Sequence, residues 1–425
     1  MSGAFIFLMV LVAATPLVAL FDGPLLDSAI TAIVAVTLII VAGALPSGEA
    51  RHQFRSIRFQ LLFLVIPGLW MALQAIPIPL RSLANPAWQS AAAGLGVPLI
   101  GSITVDTGRT VLALVYYLTV LGLIAASSAI SINRSRAATV LVVLVVATTA
   151  MALLLIAGTI LAETSPTVQE SLQGASALGI VASAAAIIRG FDQYQTHGTK
   201  FELSQFVRTE SGYFAAHVIC WVAVVIFAPI QVTFAAGFGF AIAIVIALSR
   251  LAVAGHWAIL TFAGLVLVAI LGIAAIRFAG QGDLTVRYAS APAVEVATAA
   301  RIRENTGWQG SGAGTFSALL PVYEEAGQPP TSAPTTAAAW AIELGTPTLG
   351  LIMIFSLTSL ALFVRGALRR GRDSCYPALG ASSVAVLLIE GFVDSSAIRT
   401  SVAIVAATIG GLALAQIVSR SLTTQ

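Results

Sequence analysis

Residues 137–162, A-A-T-V-L-V-V-L-V-V-A-T-T-A-M-A-L-L-L-I-A-G-T-I-L-A, decide the fold class. No charge interrupts them, and a bilayer core of roughly 30 Å is crossed by about 20 apolar residues as α-helix. Further uncharged runs near that length lie on both sides, at 2–21, 28–48, 59–80, 110–133, 251–276, 344–364, 374–389 and 400–419. Residues 211–249 hold enough uncharged positions for two short spans, with Pro229 near the turn. Lipid offers no partner to an open strand edge, so all of these predict helices: an all-α, polytopic membrane helix bundle of about 11–12 transmembrane helices. The first run has no positive n-region and a second run follows at once, so it reads as a retained span rather than a signal peptide.

Composition agrees. The 425 residues are 58% hydrophobic and only 9% charged, against about 25% charged in a soluble domain. Too few polar residues remain to clothe a water-facing surface, which excludes a soluble enzyme, a disordered chain and a coiled coil. The net charge of +3 is too small for a basic stripe, so nucleic acid is not an expected partner. Cys220 and Cys375 lie in or beside apolar runs and make neither a disulfide framework nor a metal site. Lys200 is the one lysine, so nearly every fixed cation is a planar, bidentate phosphate binder.

Arginine in short loops sets the orientation. Arg51, Arg55 and Arg58, then Arg134 and Arg136, then Arg365, Arg369, Arg370 and Arg372, and finally Arg420, are expected on the cytoplasmic side. Segments 81–109, 163–210, 277–343 and 390–399 then face outward. This divides the chain into an N-terminal transmembrane bundle (1–276), one large outer-face, periplasmic loop (277–343) and C-terminal transmembrane helices (344–425). A parity problem remains in the middle. An even number of spans must join 163–210 to 277–343, yet 211–276 is long enough for three. Residues 175–188 are apolar but short for a span; if they cross, parity is repaired and 191–210 moves inside.

The large loop carries the motifs. Arg287 comes early in it. Residues 293–303 have helical spacing and end in Arg301 and Arg303, and Gly307, Gly310, Gly312 and Gly314 then break the helix. A G-x-G-x-G run can cradle phosphate through backbone N–H groups, although no strand precedes this one and the dinucleotide reading fails. Phe316, Pro321 and Tyr323 follow, and Glu343, Gly345 and Gly350 lead into the next span.

This arrangement resembles the O-antigen ligase and O-antigen or exopolysaccharide polymerase family of membrane proteins, in which an early loop arginine precedes a G-x-G-x-G-x-F motif, P-x-Y, a His-Asn pair and E-x-G-x-x-G. Weaker echoes lie at Phe206–Ala215, at Leu248-Ser249-Arg250, and at Val105-Asp106 with Arg109. One departure stands out: where the family has His-Asn, this chain has Pro334-Thr335-Thr336, and no histidine occurs in 277–343.

The resemblance implies metal-independent glycosyl transfer from a polyprenyl-pyrophosphate-linked oligosaccharide at the periplasmic face of the bacterial inner (cytoplasmic) membrane, without a cofactor. Such an enzyme must hold the pyrophosphate, which arginine does through forked hydrogen bonds. It must also orient an acceptor hydroxyl and take its proton. The expected substrate-binding residues are Arg287, Arg208, Arg250, Arg301, Arg303, Gly310, Gly312 and Gly314. The expected base is Glu343, with Glu324 and Glu325 the other nearby carboxylates. A surface ion pair with Asp283 is the bland alternative for Arg287, and snorkelling at the interface for Arg208 and Arg250. His217 and His256 lie within apolar runs, where a bond to a neighbouring helix is the commoner role. Membrane lipid and other polysaccharide-assembly proteins are the expected partners. The missing histidine leaves open an inactive relative that serves as a scaffold. A polytopic transporter is the third class, although no two-fold hydropathy repeat supports it.

Overall fold

The computed structural model describes residues 1–21, 23–44, 60, 63–78, 83–161, 164–196, 206, 208–251, 283–324, 333–369 and 373–417. Among these residues every regular element is helical. In chain order they are α1 (Ser2–Ala13), α2 (Thr15–Leu20), α3 (Pro24–Ala44), α4 (Phe63–Ala75), α5 (Pro86–Leu95), α6 (Thr107–Ile130), α7 (Arg134–Leu161) and α8 (Pro166–Thr196). Then follow α9 (Ser211–Phe227), α10 (Ile230–Leu251), α11 (Ala293–Glu304), α12 (Phe316–Tyr323), α13 (Thr336–Glu343), α14 (Thr346–Arg369), α15 (Cys375–Glu390) and α16 (Thr400–Ile417). Seven of them, α3, α6, α7, α8, α10, α14 and α16, are long and apolar enough to cross a bilayer, and α1, α4, α9 and α15 are shorter apolar helices. The chain is a multi-pass membrane helix bundle. The span expected at 251–276 and the loop at 49–58 lie outside the described residues, as do Arg277, Glu325, Arg370 and Arg372.

Local chemistry sets the breaks. Pro16, in the first turn of α2, divides the run 2–21 into α1 and α2. Pro229 falls between α9 and α10, where the sequence places a turn.

Helix α8 settles the parity question. It runs unbroken for 31 residues, about 45 Å at 1.5 Å per residue, so 175–188 is the middle of a full span. The expectation that all of 163–210 faces one side is therefore corrected: its two halves sit at opposite ends of the bundle. Ser171, Gln173, Glu170 and Arg189 shorten the apolar run without shortening the helix, whose backbone bonds are satisfied internally whatever the side chains. Almost all of its spanning portion is buried. Small residues make that possible, because without a hydrophobic drive between helices in lipid, close backbone approach supplies the packing. A Cβ on Gly179 would lie 2.8 Å from Cys220 Sγ and 2.9 Å from Thr148 Cβ; one on Gly239 would lie 2.4 Å from a Val386 methyl. Helices α7, α9, α10 and α15 thus close around α8, while Leu112 on α6 and Ile226 on α9, both more than 60% exposed, face the lipid.

The two ends differ. At one, Arg134 Nε meets Asp373 Oδ2 at 2.8 Å and Gln416 Nε2 donates to Ser131 O at 2.7 Å. At the other, the ends of α4, α6, α8, α15 and α16 meet a layer built from residues 283–345. Helices α11, α12 and α13 share a small core there, made of Val286, Ala299, Ile302, Phe316, Leu320, Ala338 and Ile342. We refer to this layer as the cap.

Gly410 and Gly411 provide a matched test of the packing. A Cβ on Gly411 would lie 2.6 Å from Ile124 O and 2.8 Å from Ser128 N, whereas one on Gly410 meets nothing within 4 Å. Gly411→Ala is expected to destabilise the detergent-solubilised protein by about 1–3 kcal/mol. Gly410→Ala is expected to leave the melting temperature unchanged or raise it slightly. Equal melting temperatures for the two variants would contradict the α6–α16 contact.

Candidate functional site

The glycine motif is an interlock. Gly310, Gly312, Gly314 and Gly345 all have positive φ, between 72° and 109°. The conformation is matched by contact: a Cβ on Gly312 would fall 1.9 Å from Thr104 Oγ1, and one on Gly345 would fall 2.0 Å from Trp308 O. Segment 307–316 is thereby clamped between the start of α6 and the junction of α13 with α14.

Buried polar groups hold this clamp. Gln74, fully buried near the end of α4, donates from Nε2 to Gln309 O and to Glu343 O, each at 3.0 Å, and its Oε1 accepts from Ala313 N at 3.3 Å. Trp70, one turn earlier, donates to Leu344 O at 2.9 Å, and its ring stacks on Trp308. Thr110 Oγ1, also buried, reaches Thr104 Oγ1 at 2.7 Å and donates to Ala313 O at 3.1 Å. Asp106 caps α6 by accepting from Arg109 N, and the Arg109 guanidinium bonds Ser317 Oγ across to α12. The sequence reading gave no role to Gln74 or Thr110; the one available signal was a glutamine inside an apolar run.

The N–H groups expected to hold phosphate have partners within the chain. Ser311 N donates to Ile342 O at 2.9 Å, Gly312 N to Glu343 O at 3.0 Å and Phe316 N to Glu343 Oε1 at 3.0 Å. The anion in this cradle is the Glu343 carboxylate, so Gly310, Gly312 and Gly314 build the site's frame. Burial pushes the Glu343 carboxyl up to about 7, against the opposing pull of the Phe316 and Gly314 N–H groups. That value suits a group that gives or takes a proton near neutrality.

The arginines divide into two sets. Arg287, Arg301 and Arg303 belong to the cap. Asp283, weighed from sequence as a partner of Arg287, bonds Arg303 Nε through Oδ2 at 2.9 Å and accepts from Thr285 through Oδ1. The Arg287 guanidinium lies 5.9 Å from the centre of the Tyr288 ring. Arg301 donates to Thr298 Oγ1 at 3.2 Å. Arg208 is at the other end of the bundle, beside the Phe191–Phe206 contact at the far end of α8. Arg250 stands in the last turn of α10, whose first turn is at the cap end. The structure therefore does not bring Arg208 and Arg250 together with Arg287.

Pro334-Thr335-Thr336, set against a His-Asn pair in the sequence comparison, makes structural contacts. Thr335 Oγ1 caps α13 by accepting from Ala338 N and itself donates to Thr285 O, and Thr336 N donates to Asp394 O at 2.8 Å. His217 lies between helices as a paired neutral ring: Trp221 Nε1 donates to its Nε2 at 3.0 Å, and its Nδ1 is 2.9 Å from Ser183 Oγ. Its geometry is that of a helix–helix link.

No protein-family model, no curated protein and no solved structure matches this chain.

Two measurements test this geometry. Gln74→Ala leaves two carbonyls and one N–H without their buried partner, a loss of about 1–3 kcal/mol per unsatisfied group. It is expected to raise amide exchange across 307–316 while sparing the α7–α8 core; unchanged exchange there would contradict the clamp. The folded state holds the Glu343 proton more tightly than an unfolded chain does, so stability falls as pH rises from 4.5 to about 7. Asp394, pushed up to about 6 by burial, shares only the lower part of that window. Glu343→Gln is expected to flatten the melting-temperature profile between about pH 6 and 7, and an unaltered slope would rule out the buried acid.

Proposed function

We propose that this chain is a membrane glycosyltransferase of the O-antigen ligase or polymerase type. It transfers a polyprenyl-pyrophosphate-linked glycan to an acceptor hydroxyl at the periplasmic face of the bacterial inner membrane, in the making of surface or exopolysaccharide. The observation that carries the reading is the cap. One small core holds α11, α12 and α13 together with the turn at 283–289, so Arg287, Arg301 and Arg303 share one structure with Glu343 over the ends of the spans. A lipid-anchored donor needs that layout: its polyprenyl chain stays among apolar helices while its pyrophosphate meets arginines at the membrane edge.

In this reading Arg287 is the pyrophosphate ligand. It has a cation's bidentate geometry and is only partly buried. Arg301 and Arg303 add positive potential, Arg303 fixed by Asp283. They offset the charge that develops on the leaving pyrophosphate as the anomeric C–O bond breaks. Glu343 takes the acceptor hydroxyl's proton as the new glycosidic bond forms. Acting as a base requires its carboxyl to leave the N–H groups of Gly314 and Phe316.

A second reading, a non-catalytic scaffold in polysaccharide assembly, is favoured by one feature: Thr335 and Thr336 stand where the family's histidine would be, and Thr335 caps α13 while Thr336 bonds Asp394 O.

Complementation separates the two. In a strain from which the gene is deleted, the wild-type chain restores long surface polymer. Arg287→Ala is expected to reach the membrane at normal level, leave polymer short and let lipid-linked units accumulate, with activity down by a factor of about 10² or more. Full rescue by Arg287→Ala would overturn the transferase assignment and favour the scaffold.

A further inference from the structure

The segment 390–399, E-G-F-V-D-S-S-A-I-R, joins α15 to α16 at the cap end. Glu390, the last residue of α15, has no exposed surface, and neither of its carboxyl oxygens has a hydrogen-bond partner. Asp394, one turn on, is 2% exposed; its Oδ1 accepts from Ser396 N at 2.9 Å, while Oδ2 is unpartnered. The charged neighbour that bears on Glu390 is Asp394, whose N–H donates to Glu390 O at 3.0 Å, so two buried carboxyls lie on adjacent turns of the chain. The cation nearby is shared: Arg399 Nη2 bonds Glu170 Oε2 at 2.8 Å, Ser395 Oγ donates to the same oxygen at 2.5 Å, and the Arg399 charge also acts on Asp394.

On the elements packed around the pair the further cations are Arg287 in the turn at 283–290 and Arg301 and Arg303 on α11, with Arg303 bonded to Asp283, and the cation that bears on Asp394 is Arg399. Residues 230–249 of α10 and 346–364 of α14 carry no ionisable acid or base. Helix α8 contributes Glu170, and α11 contributes Glu295, a further acid within reach of Glu170. Helix α13 contributes Thr336, and α16 contributes Ser401, whose buried hydroxyl is also unpartnered. Arg399, shared with Glu170, balances at most one of the two charges, so both carboxyls cannot stay ionised away from water at acceptable cost. No group of three or more ligating side chains suited to a metal ion occurs among the described residues.

We propose that Glu390 and Asp394 form a proton-binding site that fastens the cap to the bundle. The bound proton is taken from water and leaves one carboxyl neutral, so the pair carries a single negative charge. The fastening is the backbone around the pair: Thr336 N donates to Asp394 O at 2.8 Å, Ala337 N to Gly391 O at 2.7 Å, and Ser290 N to Val393 O at 2.8 Å. Loss of the proton sets two like charges against each other beneath these bonds and loosens the first turn of α13 and the turn at 283–290. Burial pushes Asp394 up to about 6, so Asp394 carries the single charge of the pair at neutral pH and the bound proton sits on Glu390. The inference does not depend on the transferase reading, because it concerns how the cap is held, whatever the cap binds.

Infrared difference spectra of the full chain in nanodiscs, from about pH 5 to about pH 9, test it, together with hydrogen exchange corrected for the intrinsic pH effect. The wild type is expected to show a protonated-carboxyl C=O band at neutral pH that Glu390→Gln loses. Its corrected exchange at 335–339 is expected to rise several-fold towards alkaline pH. In Glu390→Gln and in Asp394→Asn, which each remove one of the two charges, that rise disappears. If Glu390→Gln does not fold, Asp394→Asn carries the exchange test alone. An unchanged acid band in a folded Glu390→Gln, or the same alkaline rise in every folded variant, overturns the proposal.

Discussion

A buried amide on the fourth helix anchors the site. Gln74 bonds two carbonyls and one N–H from three points of the distant loop, and it can do so only because nothing else at that depth offers a partner. An unmade hydrogen bond away from water costs more than a made one contributes, so the amide and the loop specify each other. The positive-φ glycines follow from that constraint. With Gln309, Ala313 and Glu343 fixed on one side and Thr104 on the other, no Cβ fits at Gly312 or Gly345.

The same economy of polar groups runs through the molecule. Within the bundle, hydroxyls of Ser176, Ser183 and Thr148 return to carbonyls of their own helices, and His217 is paired on both ring nitrogens. At the cap end the accounting is different. Glu343 is fully bonded but shifted towards neutrality, whereas Glu390 and one oxygen of Asp394 have no partner. Buried carboxyls with shifted protonation, Glu343 and Asp394, thus lie where the cap meets the bundle, and at the opposite end Arg134 bonds Asp373 and Gln416 bonds Ser131.

Most of the architecture is legible from hydropathy, because each span must carry its apolar length locally. Pro16 and Pro229 mark their breaks for the same reason. Helix α8 is the instructive exception: its run is diluted by Ser171, Gln173 and Ser176, since a central helix is selected for smallness and close approach, not for hydropathy. The site is less legible because its contacts are long-range. That Gly312 fits against Thr104, or that Glu170 meets Arg399, depends on how helices pack, and neither partner carries a local mark. Arg208 and Arg250 show the reverse. Both flank apolar runs and are expected from sequence beside Arg287, but the full crossing of α8 and the direction of α10 place them at the other end.

The central claim is that the cap holds a pyrophosphate carried on a lipid. The most direct measurement is native mass spectrometry of the purified full chain in nanodiscs with a polyprenyl pyrophosphate, set against the corresponding monophosphate and against Arg287→Ala. The account predicts retention of the pyrophosphate by the wild type, weaker retention of the monophosphate, and loss of the pyrophosphate adduct in Arg287→Ala. Equal retention of both lipids, or of the pyrophosphate by the wild type and Arg287→Ala alike, would contradict it.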